Sequence, residues 1–330
     1  MHILVTGGAG YIGSHVASDL LKDGHHVVIL DSLIKGNRPA IPSGACFFEG
    51  DVGDRTLLDT IFLNHPIEAV MHFAAFIEAG ESMKKPELFF RNNLANTLVL
   101  LESMLEHNIL KFVFSSTAAV YGNPEYTPID EDHPKFPTNA YGASKLEVER
   151  TLEWLVQLRG LGATSLRYFN ASGCSELLGE DHHPETHLIP LLIEVAMKRR
   201  PSLALFGTSY PTHDGTCIRD YIHVEDLASA HVLALKSLKP GERNVYNLGN
   251  GIGFSNLQVI EAVRAVTGKL ILVENSAARS GDPAILIASS EKARKELGWE
   301  PKHPDLRSIV ESAWKWRSRN PDGYGSATSI

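Results

Sequence analysis

The segment His2–Gly13, HILVTGGAGYIG, decides the fold, because a short apolar run leads through four glycines into a helical pattern. The run His2–Thr6 predicts a strand, and the residues Tyr11–Asp23 predict a helix. The glycines satisfy both GxGxxG and GxxGxxG, and they are Gly7, Gly8, Gly10 and Gly13. Glycine permits the tight turn, the close approach of a pyrophosphate to the backbone, and helix–strand contact. Since a helix N-terminus also attracts phosphate, the segment predicts a dinucleotide-binding turn.

An acidic residue after the second predicted strand distinguishes between two dinucleotides. Asp31 directly follows the predicted strand His26–Leu30. A carboxylate at this position hydrogen-bonds the ribose hydroxyls of adenosine and repels a 2′-phosphate, so we predict NAD rather than NADP. Asp51 and Val52, which follow a third predicted strand at Ala45–Phe48, would flank the adenine, unless Asp51 is an ordinary loop residue.

Strands and helices alternate through the first half of the chain. Further strands are predicted at Ile67–Met71, Lys111–Ser115 and Thr164–Tyr168, and helices at Asp54–Asn64, Pro86–His107 and from Tyr141 onward. This alternation predicts right-handed βαβ units, and therefore an α/β fold with a doubly wound parallel sheet of the Rossmann type. We place an NAD-binding domain at residues 1–170. A smaller C-terminal domain, residues 171–330, would mainly bind the substrate, with some segments returning to the first domain.

The composition restricts the partners and the compartment. The 330 residues are 43% hydrophobic and carry a formal net charge of −8, which gives no basic surface for nucleic acid or anionic lipid. No apolar run approaches the ~20 residues of a membrane-spanning helix, and the N-terminus has no signal-peptide pattern. The cysteines Cys46, Cys174 and Cys217 lie far apart and form no CxxC pair, so we expect reduced thiols in a cytoplasmic protein.

The sequence YGASK, Tyr141–Lys145, supplies a candidate base. Tyrosine and lysine four positions apart project from the same face of a helix. A nearby ammonium, together with the positive nicotinamide ring, favours phenolate and lowers a tyrosine pKa from its usual ~10. An isolated YxxxK is ordinarily a surface pair, but the glycine turn upstream favours the catalytic interpretation. Hydroxyl groups of Ser115, Ser116 and Thr117 lie where ligands of doubly wound sheets bind, unless these residues simply terminate a strand.

Six segments extend these observations across almost the whole chain. They are GGAGYIGSH (7–15), HFAAFIEAGESMKKP (72–86), FSSTAAVYG (114–122), YGASK (141–145), LRYFNASG (166–173) and FGTSYPTHDGTCIRDYIHVEDL (206–227). In composition and order they resemble the extended short-chain dehydrogenase/reductase family, and within it the UDP-glucose 4-epimerases. The resemblance implies NAD-dependent inversion of the C4 hydroxyl of a UDP-hexose through a transient 4-keto sugar. It also implies a homodimer formed through the helices near Asn92–His107 and Tyr141–Arg159.

The resemblance assigns roles to individual residues. Tyr141 would be the base with Lys145 beside it, and Thr117 would supply the hydroxyl partner where many members have serine. The residues implied for NAD binding are Gly7, Gly10, Tyr11, Ile12, Gly13, Asp31, Asp51, Val52, Phe73, Ala74, Asn92, Ser115, Tyr141, Lys145 and Tyr168. Those implied for the nucleotide sugar are Thr117, Asn170, Leu188, Arg219, Tyr221, Arg279, Asp282 and Leu286. Independently of the resemblance, Arg219 and Arg279 are permanently charged forks suited to a diphosphate, although either alone would be interpreted as a surface ion pair.

Other reactions and substrates stay open at this point. A nucleotide-sugar 4,6-dehydratase needs a further acid–base pair after the hydroxyl residue, and Ala118 and Ala119 occupy those positions. A noncatalytic NAD-binding protein would tend to lack the tyrosine–lysine pair. The resemblance places Leu286 beside the sugar 2-position, where tyrosine restricts members to plain hexoses and a small residue admits an N-acetyl group. Leucine is intermediate in size, so we expect UDP-glucose and UDP-galactose as the better substrates, with weak activity on UDP-N-acetylglucosamine.

Histidines and carboxylates gather in residues 180–187, EDHHPETH. His182, His183 and His187, with their acidic neighbours, superficially suggest a metal site. The segment has no helical or CxxC frame, so we interpret it as a polar loop and predict no metal ion. This chain differs from some family members at two positions. It has Ile77 where some members have lysine, and His187 where some have asparagine.

Overall fold

The computed structural model describes residues 1–279 and 282–325. The strands are β1 (His2–Thr6), β2 (His26–Asp31), β3 (Cys46–Glu49), β4 (Ala69–His72), β5 (Lys111–Thr117), β6 (Gly162–Tyr168), β7 (Asn170–Ser172), β8 (Leu203–Phe206), β9 (Ile218–His223), β10 (Arg243–Leu248), β11 (Gly253–Ser255), β12 (Val273–Ser276) and β13 (Ile285–Leu286). The helices are α1 (Tyr11–Lys22), α2 (Arg55–Asn64), α3 (Ala79–Ser82), α4 (Pro86–Phe89), α5 (Asn96–Glu106), α6 (Ala140–Arg159), α7 (Leu188–Ala196), α8 (Val224–Ser237), α9 (Asn256–Thr267), α10 (Glu291–Leu297) and α11 (Leu306–Arg319). A π-helical turn, Phe90–Ala95, joins α4 to α5. Within the described ranges, no helix combines the length and apolar character needed to cross a lipid bilayer.

Seven of the described strands form one parallel sheet in the order β3-β2-β1-β4-β5-β6-β10. Side chains of α1 and α8 pack on one face of the sheet, and those of α2, α5 and α6 pack on the other. This arrangement confirms the predicted doubly wound α/β fold. Because ligands bind where the strand order reverses, the carboxyl ends of β1 and β4 mark the binding crevice.

Alternate residues of β1 pack into two different cores. Ile3 and Val5 join the apolar cluster that contains α1 and α8, whereas Leu4 joins the cluster that contains α2 and α5. All three side chains are fully buried. A strand that is covered on both faces needs apolar residues at successive positions. The uninterrupted apolar run of β1 therefore reflects its central place in the sheet.

Several strand boundaries differ from the sequence prediction by one or two residues, and the differences in β5 and β4 have a structural reason. β5 continues past the predicted end to Thr117, because this residue still pairs with Tyr168 of β6. β4 begins at Ala69 rather than Ile67, because the Ile67 amide donates locally to the carbonyl of His65. The longer β5 matters for the site, since it carries the Thr117 hydroxyl to the carboxyl edge of the sheet.

The remaining strands build a smaller unit. β9 pairs in parallel with β7 and β13 and antiparallel with β11, while β8 pairs with β12. Helices α7, α9 and α11 pack together in a third apolar cluster. β10 lies in the large sheet, and α8 contributes to its core. The second half of the chain therefore contributes to both units.

Candidate active site

The turn between β1 and α1 has no room for side chains at two of its glycines. Gly7 has a φ of 72°, and a Cβ there would lie 2.5 Å from the backbone nitrogen of Ala74. A Cβ on Gly13 would overlap the carbonyl oxygen of Gly7. The start of α1 is therefore held against the ends of β1 and β4. Since the first amides of a helix lack intrahelical acceptors, this end can bind an anion.

Asp31 ends β2 beside this turn and is 7% exposed. Its carboxylate accepts hydrogen bonds from the amides of Ala9 and Leu33, both at 2.9 Å. Burial raises the pKa of Asp31, and these two hydrogen bonds oppose the rise. The carboxylate is thus held in one place at the wall of the crevice, where it can accept further hydrogen bonds from a ribose.

One cavity follows the crevice from the glycine turn to the end of β6. Its walls contain every predicted cofactor residue except Lys145, namely Gly7, Gly10, Tyr11, Ile12, Gly13, Asp31, Asp51, Val52, Phe73, Ala74, Asn92, Ser115, Tyr141 and Tyr168. The walls also contain Thr117 and Asn170 from the predicted substrate set. Residues from the ends of several parallel strands therefore meet along a single channel.

The cavity has further walls that the sequence analysis missed. Lys35 and Glu78 both line it and form an ion pair at 2.5 Å. Lys35 lies in the loop after β2, and Glu78 lies in the loop after β4. Loops that follow strand ends line the crevice in this fold. Their position after strands is the signal that could have indicated both residues.

Tyr141 lies in the first turn of α6 and lines the same cavity. Asn139 caps the helix by accepting a hydrogen bond from the Gly142 amide at 2.8 Å. Burial raises the pKa of Tyr141 to about 12, a hydrogen bond with Thr117 opposes the rise, and Glu78 adds to it. The protein alone therefore keeps this phenol protonated at neutral pH. The lowering of the pKa that we expected requires added positive charge in the loaded site.

Lys145 follows Tyr141 by one helical turn and is 1% exposed. Its ammonium donates to the carbonyl oxygen of Ser115 at 2.9 Å and lies 4.8 Å from the centre of the Phe114 ring. Burial lowers the pKa of Lys145 to about 7, although Glu149 opposes the fall. This side chain is a buried amine whose charged form is favoured by the hydrogen bond to Ser115 and by Glu149.

Hydroxyl groups complete this end of the cavity. The Thr117 hydroxyl accepts a hydrogen bond from the Ala119 amide at 3.1 Å and is close enough to the Tyr141 phenol to oppose the rise in its pKa. The hydroxyls of Ser115 and Tyr168 are hydrogen-bonded to each other in the same wall. A phenol and a threonine hydroxyl that line the same end of a cavity can together hold and move the proton of a substrate hydroxyl.

Strand pairing in the small sheet brings together four of the eight predicted nucleotide-sugar residues. Asn170 of β7 lies opposite Tyr221 of β9, and Leu286 of β13 lies opposite Arg219. The Arg219 guanidinium also lies 3.8 Å from the carboxylate of Asp282. Segments that are far apart in the chain therefore contribute to one surface, and Asn170 connects it to the cavity.

Two other predicted residues lie outside these strand pairs. The Arg279 guanidinium lies 4.0 Å above the centre of the Phe206 ring at the end of β8. Leu188 is the first residue of α7 and packs partly against the third apolar cluster. Neither residue lines the cavity that contains Tyr141.

The polar loop before α7 approaches the same cavity. Glu180, His182 and His187 line it. With Glu185, each of these residues offers one metal-ligating atom, and the four atoms lie within 4.8 Å of one another. The sequence has no helical or CxxC frame here, and the folding of the loop is what brings these side chains together.

Comparisons with known proteins agree with one another. Residues 3–249 match the NAD dependent epimerase/dehydratase family. The chain is 53% identical to the UDP-glucose 4-epimerase of Halalkalibacterium halodurans, over 99% of this chain and 98% of the relative. A crystal structure of a UDP-glucose 4-epimerase has 48% identity and a TM-score of 0.95, covering 99% of this chain and 100% of that chain. The Bifidobacterium longum UDP-glucose 4-epimerase, solved in complex with NAD⁺ and UDP, has 38% identity and a TM-score of 0.94, covering 98% of this chain and 100% of that chain.

Proposed function

The chain belongs to the NAD dependent epimerase/dehydratase family, and we infer that it is an isomerase that interconverts UDP-glucose and UDP-galactose. The reaction inverts C4 through a transient 4-keto sugar, with NAD as the cofactor. The observation that carries this inference is that Tyr141 and Thr117 open onto the same cavity as the glycine turn. A base and a dinucleotide site that share one cavity are what oxidation and reduction of a sugar hydroxyl require.

The cavity fits NAD for reasons that lie in this chain. Because Gly7 and Gly13 let the turn pack closely against the start of α1, the first amides of that helix are available to a pyrophosphate. Asp31 is held where it can accept hydrogen bonds from the adenosine ribose and where it repels a 2′-phosphate. NAD held there would supply the acceptor for a hydride from C4 of the sugar and the source of the returning hydride.

The chain moves the proton. We assign Tyr141 the removal of the proton from the 4-hydroxyl and its return, with Thr117 holding the same oxygen by a hydrogen bond. Because burial raises the pKa of Tyr141 to about 12, the phenolate needs a positive neighbour. We assign that charge to Lys145, one turn further along α6, together with the positive nicotinamide ring of bound NAD, and the Lys145 ammonium also joins α6 to β5. The base is thus formed where the substrate binds.

The UDP group anchors the sugar while its reacting face changes. We assign the diphosphate to Arg219 and Arg279, whose guanidinium groups stay charged at every physiological pH. Asn170, Leu188, Tyr221 and Asp282 would complete the contacts with the nucleotide sugar. Binding energy from the UDP group, which does not react, holds the 4-keto sugar in the site while the hexose ring rotates to present its other face.

A 4,6-dehydratase reaction would need more than this site contains. Elimination of water requires a further acid–base pair next to the hydroxyl residue. Ala118 and Ala119 follow Thr117 directly, and their methyl side chains cannot transfer protons. These two alanines favour epimerisation over dehydration.

We propose that the protein forms a homodimer through α5 and α6. Trp154 and Leu158 lie one turn apart on α6 and are 63% and 68% exposed. Large apolar side chains exposed together on one helix favour a partner that covers them. Light scattering should therefore give twice the chain mass, and Trp154→Glu with Leu158→Glu should give the mass of one chain. A parent protein of single-chain mass would contradict the proposed dimer.

Two further proposals concern domain roles and compartment. Residues 1–170 would bind NAD and residues 171–330 mainly the nucleotide sugar, and the position of β10 in the large sheet supports the return of some later segments. Free cysteines at Cys46, Cys174 and Cys217 fit the reducing cytoplasm. The proposed domain roles can be tested in the full chain. Substitution of Arg219 should weaken UDP binding and leave the NAD content unchanged. Fractionation of cells that produce the native chain would test the compartment, and recovery in a secreted fraction would contradict it.

Incubation of the purified protein with UDP-galactose, without added NAD, tests the proposed reaction. We expect UDP-glucose to form until the two sugars reach equilibrium, and denatured protein to release close to one nucleotide, NAD or NADH, per chain. Formation of a different sugar would contradict the assigned reaction. Activity that tracks added NAD reversibly would contradict a cofactor that stays bound.

A further inference from the structure

The loop before α7, residues 179–187, places four potential metal ligands around one point. Glu180, His182, Glu185 and His187 each offer a ligand atom, and these atoms lie within 4.8 Å of one another. Glu180 Oε1 lies 3.3 Å from Nδ1 of His182 and 2.8 Å from Nδ1 of His187. The Glu185 carboxylate lies 3.8 Å from Nδ1 of His182 and 3.1 Å from Nδ1 of His187.

One of these separations is a hydrogen bond, between Nδ1 of His187 and Oε1 of Glu185, but hydrogen bonds do not explain the two contacts of Glu180. In the described part of the chain, Glu180 Oε1 and His182 Nδ1 are buried and have no hydrogen-bond partner. Glu180 is 7% exposed, and an unpaired carboxylate oxygen at that depth is destabilising. The two atoms are close enough for a hydrogen bond but are misaligned for one. That is the geometry expected when both lone pairs point to a shared ligand.

We propose that this cluster binds one divalent cation of the zinc class. Zinc takes imidazole nitrogen and carboxylate oxygen at ~2.0–2.1 Å, which puts the corners of a tetrahedron ~3.3 Å apart. Among Glu180 Oε1, Glu185 Oε2 and the two Nδ1 atoms, the three separations of 2.8, 3.3 and 3.8 Å bracket that value. Two neutral imidazoles and two carboxylates also carry the charge that a divalent cation balances. Since four protein ligands leave no open position, the role is structural.

The backbone orients one of these ligands. Glu185 Oε1 accepts hydrogen bonds from the amides of Thr186 and His187, at 2.7 and 2.8 Å. This leaves Oε2 as the free oxygen of the carboxylate on the side of His182. Hydrogen bonds that fix a ligating carboxylate are typical of the outer shell of metal sites.

Protonation of both histidines is the rival explanation for the cluster. Burial lowers the pKa of His182 and His187, but Glu180 and Glu185 outweigh it and raise the values to about 9 and about 10. Two imidazolium rings would balance the same negative charge. Each Nδ1–H group would then need an aligned acceptor, however, and His182 Nδ1 has none among the described residues. A bound cation would accept the Nδ1 lone pair of His182, so this atom would no longer lack a partner.

The cation would fasten the loop over the cofactor end of the cavity. Lys35, which lines the cavity after β2, donates to the carbonyl oxygen of His183 at 3.2 Å. The His182 ring meets the ring of Tyr11, the first residue of α1, edge to face at 6.0 Å. Leu188 begins α7 directly after His187. One bound ion would thus hold in place both the loop of residues 179–187 beside the cavity and the start of α7.

Metal binding by untagged, NAD-loaded protein tests the proposal. After chelation and dialysis, calorimetric titration with ZnCl₂ should give one tight site per chain, and Co²⁺ should give the intense visible absorption of a tetrahedral site. The double variant His182→Gln/His187→Gln should bind Zn²⁺ at least ~100-fold more weakly, since outer-shell changes alone cost ~10–100-fold. His183→Gln is the matched control, because its side chain lies in the same loop, is 78% exposed and is outside the cluster.

Zn²⁺ binding by the parent protein tests the proposal without any variant. Absence of a tight Zn²⁺ site in the parent would overturn it, as would equal Zn²⁺ affinity in the double variant. Circular dichroism and NAD content show whether the double variant is folded. If it is unfolded, Glu180→Gln removes one ligand with a smaller change, and its Co²⁺ spectrum must lose the tetrahedral bands. Retention of those bands would equally overturn the proposal.

Discussion

The ammonium of Lys145 donates a hydrogen bond of 2.9 Å to the carbonyl oxygen of Ser115. The contact joins α6, which carries Tyr141, to β5, which carries Thr117. The proposed base and its hydroxyl partner therefore lie on two elements that this buried contact joins. We expect substitutions of Tyr141, Thr117 or Lys145 to reduce the reaction rate more than they reduce the stability of the fold.

Tyr141→Phe keeps the packing of the ring and removes the base. We expect kcat to fall by ~10²–10⁴, the usual contribution of general-base catalysis, while the NAD content stays unchanged. Thr117→Ser keeps the hydroxyl and should be nearly neutral, whereas Thr117→Val should be severely impaired. Steady-state rates with UDP-galactose, together with nucleotide extraction, measure both effects. Retention of most activity in Tyr141→Phe with NAD bound would assign the base to another residue.

The charge of Lys145 should be visible in the pH dependence of kcat. Burial raises the pKa of Tyr141 to about 12 and lowers that of Lys145 to about 7. Lys145→Met removes the positive neighbour, so the pKa of Tyr141 rises further and less phenolate is present at any given pH. The acidic limb of the profile should therefore move to higher pH, with lower activity at neutral pH. Lys22→Met, at an exposed position of α1, should leave the profile unchanged.

An unchanged profile in Lys145→Met would mean that this cation does not act on the base. Lys145→Arg provides a second comparison, because the guanidinium keeps its charge throughout the measured range. If Lys145→Arg folds and binds NAD, its acidic limb should stay closer to that of the parent than the limb of Lys145→Met does.

Alanine at Gly13 should release the cofactor. The new Cβ would overlap the carbonyl oxygen of Gly7, so the turn must open and displace the amides that face the pyrophosphate. We expect the nucleotide content to fall from about one per chain to a small fraction, with activity falling in parallel. Gly80→Ala is the control, since a Cβ there meets nothing within 4 Å. Full NAD content in Gly13→Ala would contradict the assigned phosphate site.

Six of the seven strands of the large sheet could be predicted from the sequence because the steps between them are local, whereas β10 joins the sheet from residues 243–248 and was not predicted. β1, the glycine turn and α1 follow one another within a single stretch, and apolar runs indicate the strands. The ends of these strands then determine which residues meet at the crevice. Asp31 and Thr117 were found in this way, from their positions after strands, and both line the cavity.

The small sheet could not be predicted, because its pairs join distant segments through very short strands. Asn170 lies opposite Tyr221, and Arg219 lies opposite Leu286 of a two-residue strand. No periodic pattern marks strands of this length. The family resemblance identified these residues but did not indicate how they are arranged in space. The cluster in residues 179–187 is a similar case, since the irregular loop backbone, rather than regular spacing, brings its ligands together.

Leu286→Tyr should narrow the range of substrates. Leu286 lies opposite Arg219 and packs against the apolar cluster that contains Ala118, which follows Thr117. A tyrosine ring there would occupy the space that we assign to an N-acetyl group at the sugar 2-position. We expect weak turnover of UDP-N-acetylglucosamine by the parent and none by the variant, with UDP-galactose turnover preserved. Differences of methylene size contribute ~1–3 kcal/mol, and a rigid clash costs more.

Steady-state kinetics on both sugars measure this effect. Leu270→Tyr is the control, because Leu270 is 78% exposed and lies outside the small sheet. Normal turnover of the N-acetyl sugar by Leu286→Tyr would show that another residue forms the wall beside the 2-position.

The fate of the hydrogen on C4 tests the proposed reaction most directly. UDP-galactose labelled with deuterium at C4 would be incubated with the purified protein in ordinary water, and the UDP-glucose formed would be examined by NMR and mass spectrometry. We predict that the product keeps the deuterium at C4, because the hydride that leaves this carbon returns to it within one bound complex. Loss of the label to water, or its appearance at another carbon, would contradict inversion by hydride transfer at C4.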